Sequence, residues 1–242
     1  MPHRKQHINV NSETSGPLRR LLAVSAAGLA GAVALTGCSL LSGSTDDSTD
    51  GNDVSEEQFD AAADASAGDC LPFEILGTDQ DTFAIDCGGE DAFWSITEIV
   101  ADPGITTAGG TITDDQQIFD VCGEEIGAFL PGKPWTEWNM IYDQGTGEVD
   151  YLFCVEALDK PDADEKTPAV PEAGECISSA DTAWYTLPCE AALADTTVTH
   201  TVAFDTADWA APDVETAVAE CAGVYYELTD QFNRVNGVVC TD

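Results

Sequence analysis

Cysteine is the residue type with the most readable chemistry in this 242-residue chain. The sequence has nine cysteines, and eight of them lie after position 60. An even number of cysteines is typical of disulfide bonds in an exported protein. A structural zinc site is the alternative, but the chain has no Cys-x-x-Cys spacing and His200 is the only histidine after position 37. We therefore predict four disulfides.

Short sequence matches show that these cysteines form two similar sets. The segment AGDCL around Cys70 recurs as AGECI around Cys176, and FAIDC, ending at Cys87, recurs as YTLPC, ending at Cys189. Such an internal repeat indicates a duplicated module. Cysteine order alone leaves the pairing open, and bridges between the copies are the alternative, but bridges within each copy are simplest. The predicted pairs are Cys70–Cys87, Cys122–Cys154, Cys176–Cys189 and Cys221–Cys240.

The ninth cysteine, Cys38, belongs to a different pattern. Four basic residues between positions 4 and 20 precede an uncharged run over 21–36. A basic start, a short apolar run and small residues before a cut site mark a secretory signal, and the run is shorter than a membrane-spanning helix. The run ends in LTGC, which resembles a bacterial lipobox. That resemblance implies cleavage before Cys38 and lipid on its thiol; an ordinary signal peptide with a chance cysteine is the alternative.

Lipidation implies a location. Two acyl chains anchor a protein durably, whereas one chain holds it only marginally. We expect the mature protein to be lipid-anchored on the extracytoplasmic face of the cell membrane through Cys38.

The charge of the chain excludes one class of partner. The formal net charge is −37, and residues 1–37 contribute +3, which leaves −40 for the remainder. Nucleic acids bind proteins by exchanging counterions for Lys and Arg, so we exclude nucleic acid as a partner. The acidic surface also repels an anionic membrane, so attachment depends on the lipid. The remainder has only four cations: Lys133, Lys160, Lys166 and Arg234.

Catalytic patterns are weak. Ser–His–Asp chemistry would rest on His200, in the middle of a predicted strand, where a histidine is usually structural or exposed. A polysaccharide hydrolase would need a carboxylate pair at a set separation, and a chain with 45 acids always offers some pair. We therefore predict a protein that is not an enzyme, with no catalytic residues and no cofactor.

Calcium is a second ligand to weigh. Asp79-Gln80-Asp81 and the acidic segment 162–165 offer hard oxygen ligands, but neither matches an EF-hand loop. We predict no metal site and keep calcium as an alternative partner.

Two tryptophans suggest a binding surface. The segment 131–138, PGKPWTEW, interrupts the first copy and has no equivalent in the second. Trp135 and Trp138 are therefore predicted to bind a partner, an envelope protein or a cell-wall component, because buried aromatic anchors dominate many interfaces. The alternative is that both fold back over the sheet. Trp94, Trp184 and Trp209 are predicted to be core.

The elements that position these residues follow from hydrophobic periodicity. In the first copy we predict strands at 70–76, 82–87 and 93–100, a helix at 114–130, and a hairpin of 139–143 with 149–157. In the second we predict strands at 176–179, 183–189 and 196–204, a helix at 212–228, and a tight turn at Asn236-Gly237 before the last strand. The fold class is α+β: two tandem disulfide-stapled modules, each a small, mostly antiparallel sheet with one helix packed on it.

Composition divides the chain into five regions. We predict a lipoprotein signal peptide at 1–37, a flexible acidic Ser/Thr/Asp/Gly linker at 38–68, module 1 at 69–158, a linker rich in Pro and acids at 159–174, and module 2 at 175–242. A weak helix over 58–67 is the alternative for the end of the first linker.

The module openings carry a family resemblance. Gly-[Asp/Glu]-Cys followed by an aromatic-x-aliphatic-x-Cys strand resembles the actinobacterial septum-formation domain family, over Gly68 to Ala157 and more weakly over Gly174 to Asp242. Members commonly carry Pro-His after the second cysteine, where this chain has Glu90-Asp91 and Ala192-Leu193. The resemblance implies an extracytoplasmic module linked to division or wall biogenesis, and no defined reaction.

Together these patterns predict a non-catalytic cell-envelope lipoprotein that binds or scaffolds near the cell wall, with a link to septum formation. A wall-polysaccharide hydrolase and a calcium-dependent binding protein are the alternatives.

Overall fold

The computed structural model describes residues 5–6, 56–75, 84–181 and 183–242. The described helices are α1 (Glu56–Asp64), α2 (Asp115–Cys122) and α3 (Val214–Ala217), with 3-10 turns at Thr206–Asp208 and Val218–Glu220. The described strands are β1 (Lys5–Gln6), β2 (Cys70–Pro72), β3 (Ala92–Ala101), β4 (Thr136–Tyr142), β5 (Val149–Ala157), β6 (Cys176–Ile177), β7 (Thr196–Ala203), β8 (Val224–Thr229) and β9 (Val235–Thr241).

The strands form two sheets of the same design. The first has the order β2-β3-β5-β4, and the second repeats it as β6-β7-β9-β8, with β1 added in parallel outside β8. All other pairings between these strands are antiparallel. The predicted α+β fold of two disulfide-stapled modules is confirmed.

A shared irregularity shows how closely the modules match. The register of β3 against β5 shifts at Thr97, and that of β7 against β9 shifts at Thr199. Each threonine hydroxyl donates to a cysteine carbonyl on the neighbouring strand, Cys154 at 3.1 Å and Cys240 at 3.2 Å. A β-bulge leaves a ladder group unpaired, and the same hydroxyl fills the same gap in both modules.

Four disulfides close within the modules, in the predicted pairing. Their Cα–Cα distances run from 5.0 to 5.5 Å, and they join Cys70 to Cys87, Cys122 to Cys154, Cys176 to Cys189 and Cys221 to Cys240. Loops of this length contribute on the order of 3 kcal/mol each by restricting the unfolded chain.

Module 1 buries both faces of its sheet. On one face Leu152 and Cys154 pack with Ile118 of α2. On the opposite face Phe153 and Val155 pack with Ala62 of α1. Side chains alternate between faces along β5, which explains why consecutive residues of this strand are all buried.

Helix α1 lies in the segment predicted to be a flexible linker, so that prediction was wrong for 56–64 and the alternative of a helix near 58–67 agrees with the structure. Ala62 is buried, and Phe59 makes an edge-to-face contact with Tyr151 at 5.4 Å between ring centroids. The apolar surface of α1 is made mostly of alanine, which gives a weak periodic signal, and burial against the sheet stabilises the helix.

Module 2 covers its two faces differently. Tyr225 and Val238 pack with Val214 of α3, as in module 1. The opposite face, which includes Tyr226 and Leu228, is covered by residues from outside the module: Val170, Phe129 and Trp135.

The linker predicted at 159–174 is therefore part of the folded body. Backbone bridges join Thr167 to Thr186 of module 2 and Ala169 to Pro134 of module 1, and Val170 is only 1% exposed. Proline cannot continue a helix, so this segment crosses the sheet in extended form.

Five predicted elements differ from the structure, three of them a helix and two short strands. The helix at 114–130 is shorter, because Gly123 takes a positive φ of 84° and ends α2 after Cys122. Within the described residues, the strands predicted at 82–87 and 183–189 contribute only bridges, of Ile85 to Cys70, Thr186 to Thr167 and Leu187 to Cys176.

The helix at 212–228 is wrong in its second half, because 224–229 is strand β8. Tyr225 and Tyr226 are both buried, on opposite faces, and a strand buried on both faces lacks the alternation that distinguishes it from a helix. The turn predicted at Asn236-Gly237 is inside β9, and the chain reverses over 230–234 instead.

Candidate functional site at the junction of the modules

Trp135 is the centre of the junction between the modules. It directly precedes β4, and its amide donates to the Pro168 carbonyl of the linker at 3.0 Å. The indole Nε1 donates to the Trp184 carbonyl of module 2. We call the sheet face opposite α2 in module 1, and opposite α3 in module 2, the second face. The Trp135 side chain packs against the second-face cores of both modules and so joins them directly.

Four aromatic side chains form a continuous row across this junction. Ring centroids lie 4.9 Å apart between Phe73 and Phe93, 6.5 Å between Phe93 and Trp135, and 4.4 Å between Trp135 and Tyr185. We call this set, Phe73, Phe93, Trp135 and Tyr185, the aromatic strip. Phe73 is 59% exposed and the other three are half-buried. Such rings offer a rigid apolar surface to a ligand at little entropic cost.

A cation ends the strip on the module 2 side. Lys166 lies 5.3 Å from the centre of the Tyr185 ring and forms an ion pair with Asp181 at 2.8 Å. The hydrogen bond to Asp181 raises the pKa of Lys166, and burial raises the pKa of Tyr185. At physiological pH, Lys166 therefore stays protonated in its ion pair with Asp181, and the neighbouring Tyr185 stays neutral.

Trp138 does not share the surface of Trp135. Trp135 packs with the second-face clusters, whereas Trp138 packs with the Ile118 cluster under α2. The two tryptophans are three residues apart in an extended segment, which directs their side chains to opposite faces. The partner-binding role predicted for both stays a prediction, but they do not form one common anchor. Trp94, Trp184 and Trp209 are buried, as predicted.

Arg234 fixes the junction from the other side, and sequence reasoning named it only as one of four cations. Its guanidinium donates to the carbonyls of Glu124 and Ile126 in module 1, at 2.9 and 3.2 Å. The Arg234 Nε also donates to Oδ2 of the buried Asp230 at 2.7 Å. An arginine can satisfy several carbonyl and carboxylate acceptors at once because its five N–H donors form a rigid fork.

Aromatic rings surround the same guanidinium. Its central carbon is 4.5 Å from the ring centre of Phe119, 4.7 Å from Trp209 and 4.9 Å from Phe232. Phe119 belongs to module 1 and the other two to module 2. The cation therefore binds both modules through cation–π contacts as well as hydrogen bonds. The sequence signal was the scarcity of arginine after position 37, paired with an aspartate four residues earlier.

Glu137 is the carboxyl with a raised pKa at this junction. Its side chain is half-buried on β4, and its Oε1 accepts from the Gln231 amide of module 2 at 2.8 Å. Burial raises its pKa, and the hydrogen bonds from Gln231 and the Trp138 amide only partly offset this.

His200 and the acidic segment 162–165 are other sites weighed in the sequence. His200 is 38% exposed, and its Nε2 lies 3.8 Å from the Glu220 carboxylate. Asp162, from the acidic segment 162–165, uses one oxygen to accept the amides of Asp164 and Lys166. Among the described residues, no group of three or more metal-ligating side chains comes together. Cys38 and Asp79-Gln80-Asp81 lie outside the described residues.

None of the described helices is long and apolar enough to cross a membrane. No protein-family model matches the chain, and no curated protein and no solved structure matches it either.

Proposed function

We propose that this protein is a non-catalytic lipoprotein of the cell envelope that binds or organises a partner near the cell wall. The observation that supports this most directly is the aromatic strip, which crosses both modules and is partly open to solvent. A large aromatic surface on an extracytoplasmic body is suited to recognition, because aromatic anchors supply much of the binding energy at interfaces.

The strip limits the chemistry of the partner. The chain after residue 37 has a net charge of −40, so an anionic polymer is repelled. A neutral or cationic partner with an apolar face is favoured. A rigid support also favours binding, because the two modules are already locked through Trp135 and Arg234 and lose little freedom when a ligand bridges them.

The proposed location rests on the lipobox-like sequence at Cys38, and the link to septum formation rests on the resemblance of the module openings. Replacing Cys38 by Ala is expected to leave a full-length, unlipidated precursor. Mass spectrometry of the N-terminus and detergent partitioning measure the two properties. A mutant that is cleaved before residue 38 and still partitions into detergent would exclude this anchor.

The strip is tested by site-specific photocrosslinking in the native organism. A benzophenone amino acid at Phe73 is expected to capture a defined partner, identified by mass spectrometry. The matched control is the same amino acid at Leu193, an apolar residue of comparable exposure (42%) that lies outside the strip. Identical products from both positions would contradict a binding role for the strip.

A second variant separates binding from folding. Phe73→Ser removes the most exposed ring and leaves the buried ones in place. We expect it to lose the crosslinked or copurified partner and to keep the four disulfides and the thermal stability of the parent. Unchanged partner recovery with Phe73→Ser would overturn the proposal.

A further inference from the structure

We propose that the outer edge of β8 in module 2 is a binding site for an extended, positively charged peptide strand. The inference rests on the proposed function, because it requires processing before Cys38. It deepens that function by naming a second binding surface and the chemistry of its ligand.

The first observation is that the edge already takes a strand. Lys5 and Gln6 of β1 pair in parallel with Tyr225 and Tyr226 of β8. This strand comes from the basic N-terminal region, in which four cations precede the apolar run. A sheet edge presents a row of backbone N–H and C=O groups, and an added strand satisfies them.

The second observation is that the equivalent edge in module 1 is closed by its own side chains. On β4, the Trp138 amide donates to Oε1 of Glu137 at 3.1 Å, and the Met140 amide donates to Oδ1 of Asn139 at 2.8 Å. Two backbone amides that could donate to an added strand therefore already donate to side chains of β4 itself. Capping of this kind is a way in which proteins protect a sheet edge.

The third observation is that β8 lacks these caps. Trp138 pairs with Cys154 on β5, and Tyr225 pairs with Cys240 on β9, so these positions are equivalent. Val224 and Tyr226 then occupy the places of Glu137 and Asn139. Valine has no acceptor, and the Tyr226 side chain is packed in the second-face core of module 2. At these two positions β8 therefore offers no side-chain acceptor to its own edge, which pairs with β1 instead.

Processing changes what covers this edge. Strand β1 lies within residues 1–37, so cleavage before Cys38 removes it. The rest of the chain carries −40 and attracts cationic segments. The processed protein thus offers an uncapped edge to a basic strand from another protein, in the place where its own precursor held one.

The test uses a synthetic peptide of residues 1–12 as the probe. The receptor is residues 38–242 with Cys38→Ser, because all the core residues of both modules lie between positions 62 and 241. Disulfide mapping verifies its fold before titration. We expect saturable binding by calorimetry at moderate salt. The full-length Cys38→Ala precursor is expected to bind at least about tenfold more weakly, because its own strand competes at high effective concentration.

Two variants separate strand pairing from charge attraction. A peptide with Gln6→Pro and Ile8→Pro keeps every charge but loses backbone donors, and about tenfold weaker binding is expected. In the receptor, Val224→Glu reproduces the module 1 cap beside the Tyr225 amide. It should weaken binding, although the added negative charge alone would strengthen it. Val224→Thr, with no acceptor long enough to cap that amide, is the matched control and should bind like the parent.

Each result has a defined meaning. Equal binding of the proline peptide, or tighter binding by Val224→Glu, would overturn the inference in favour of nonspecific attraction. Absence of peptide binding, or dimerisation of the processed chain through β8 in place of it, would also overturn it. Failure of cleavage in cells would refute the proposed processing, whereas the recombinant receptor tests the edge independently.

Discussion

The two modules have the same strand order, and each has two disulfides and one β-bulge in equivalent positions. They differ in what covers the second face of the sheet. Module 1 uses α1, a helix that precedes its opening glycine. Module 2 has the extended segment around Val170 in the same place, together with Phe129 and Trp135 of module 1. Module 2 is therefore completed by its neighbour, and the junction belongs to its core.

The hairpin turns differ in the same way. Asp143 and Asp230 both accept backbone amides of their turns, but Asp143 is exposed, whereas Asp230 is buried against Arg234 at the junction. The turn at Asp143 is only a surface turn, whereas the equivalent turn at Asp230 holds Arg234 in contact with the other module. Duplication supplied two equal turns, and burial made one of them structurally important.

The largest expected effect comes from breaking this asymmetry. Asp230→Ala leaves the half-buried Arg234 without its buried carboxylate partner, and removal of one partner of a buried pair typically destabilises by about 3–5 kcal/mol. We expect a fall of this size in the free energy of unfolding in urea. We also expect the single transition to separate into two, as the modules uncouple.

Asp143→Ala is the matched control for Asp230→Ala. Hydrogen bonds from Thr146 and Gly145 lower the pKa of Asp143, so a small loss of stability is expected, with one transition retained. Equal losses in the two variants would show that the junction does not depend on the buried pair.

The next largest loss of stability is expected from residues that cover the second face of each sheet. Val170→Ala removes two buried methyl groups from the second-face core of module 2, and a loss of about 2 kcal/mol is expected. Phe59→Ala in α1 tests the equivalent face of module 1, where the ring is partly exposed, and about 1 kcal/mol is expected. Urea titration followed by fluorescence measures both. If Val170→Ala lowered the free energy of unfolding less than Phe59→Ala does, the prediction that the linker stabilises module 2 more than α1 stabilises module 1 would be wrong.

The bulge threonines test the similarity of the modules. Thr97→Val and Thr199→Val each remove one hydroxyl that donates to a cysteine carbonyl, and each is expected to cost about 1 kcal/mol. Thermal unfolding of the two variants and of the double variant measures this, and the losses should be equal and additive. Unequal losses would show that the bulge has a different importance in each copy.

The smallest effect is pH-dependent. Burial raises the pKa of Glu137 above its ordinary value of 4.5, so the folded protein binds more protons than the unfolded chain between those two values. The free energy of unfolding therefore falls as pH rises through this window, and the loss persists above it. Glu137→Gln keeps an oxygen for the Gln231 amide and should be more stable than the parent at neutral pH.

Stability measured against pH checks this prediction. The parent and Glu137→Gln should converge at a pH below 4.5. The control is Glu156→Gln, which removes one carboxylate from an exposed position on the neighbouring strand. A curve for Glu137→Gln that retained the full slope of the parent would place the titrating group elsewhere.

The sequence was sufficient for much of the fold. The repeat around Cys70 and Cys176 predicted the duplication and the pairing of the bridges. Strongly patterned strands such as β3 and β7 were placed within one or two residues. The errors concern β8, whose two faces are both buried, and α1, whose apolar side is mostly alanine. Neither segment carries a distinct period, because periodicity records only a difference in environment between faces.

The candidate site was less predictable. Trp135 was predicted to bind a partner because of its unusual loop, but its contacts with Trp184 and Tyr185 in the other module were not predicted. The scarcity of arginine and the nearby Asp230 single out Arg234 in the sequence, but they do not show its acceptors at Glu124 and Ile126, which are more than 100 residues away in the chain. Sequence spacing does not report distances of that kind.

Local chemistry in the sequence determined that two similar, disulfide-closed α+β units would form, since residue type and short spacing control strand formation and make the bridges available. Only the tertiary structure decided that the units share a core, with the half-buried Arg234 contacting both of them and an aromatic strip across their junction. Those contacts join surfaces that exist only after each sheet has folded, and they depend on which face of each sheet was left to be covered.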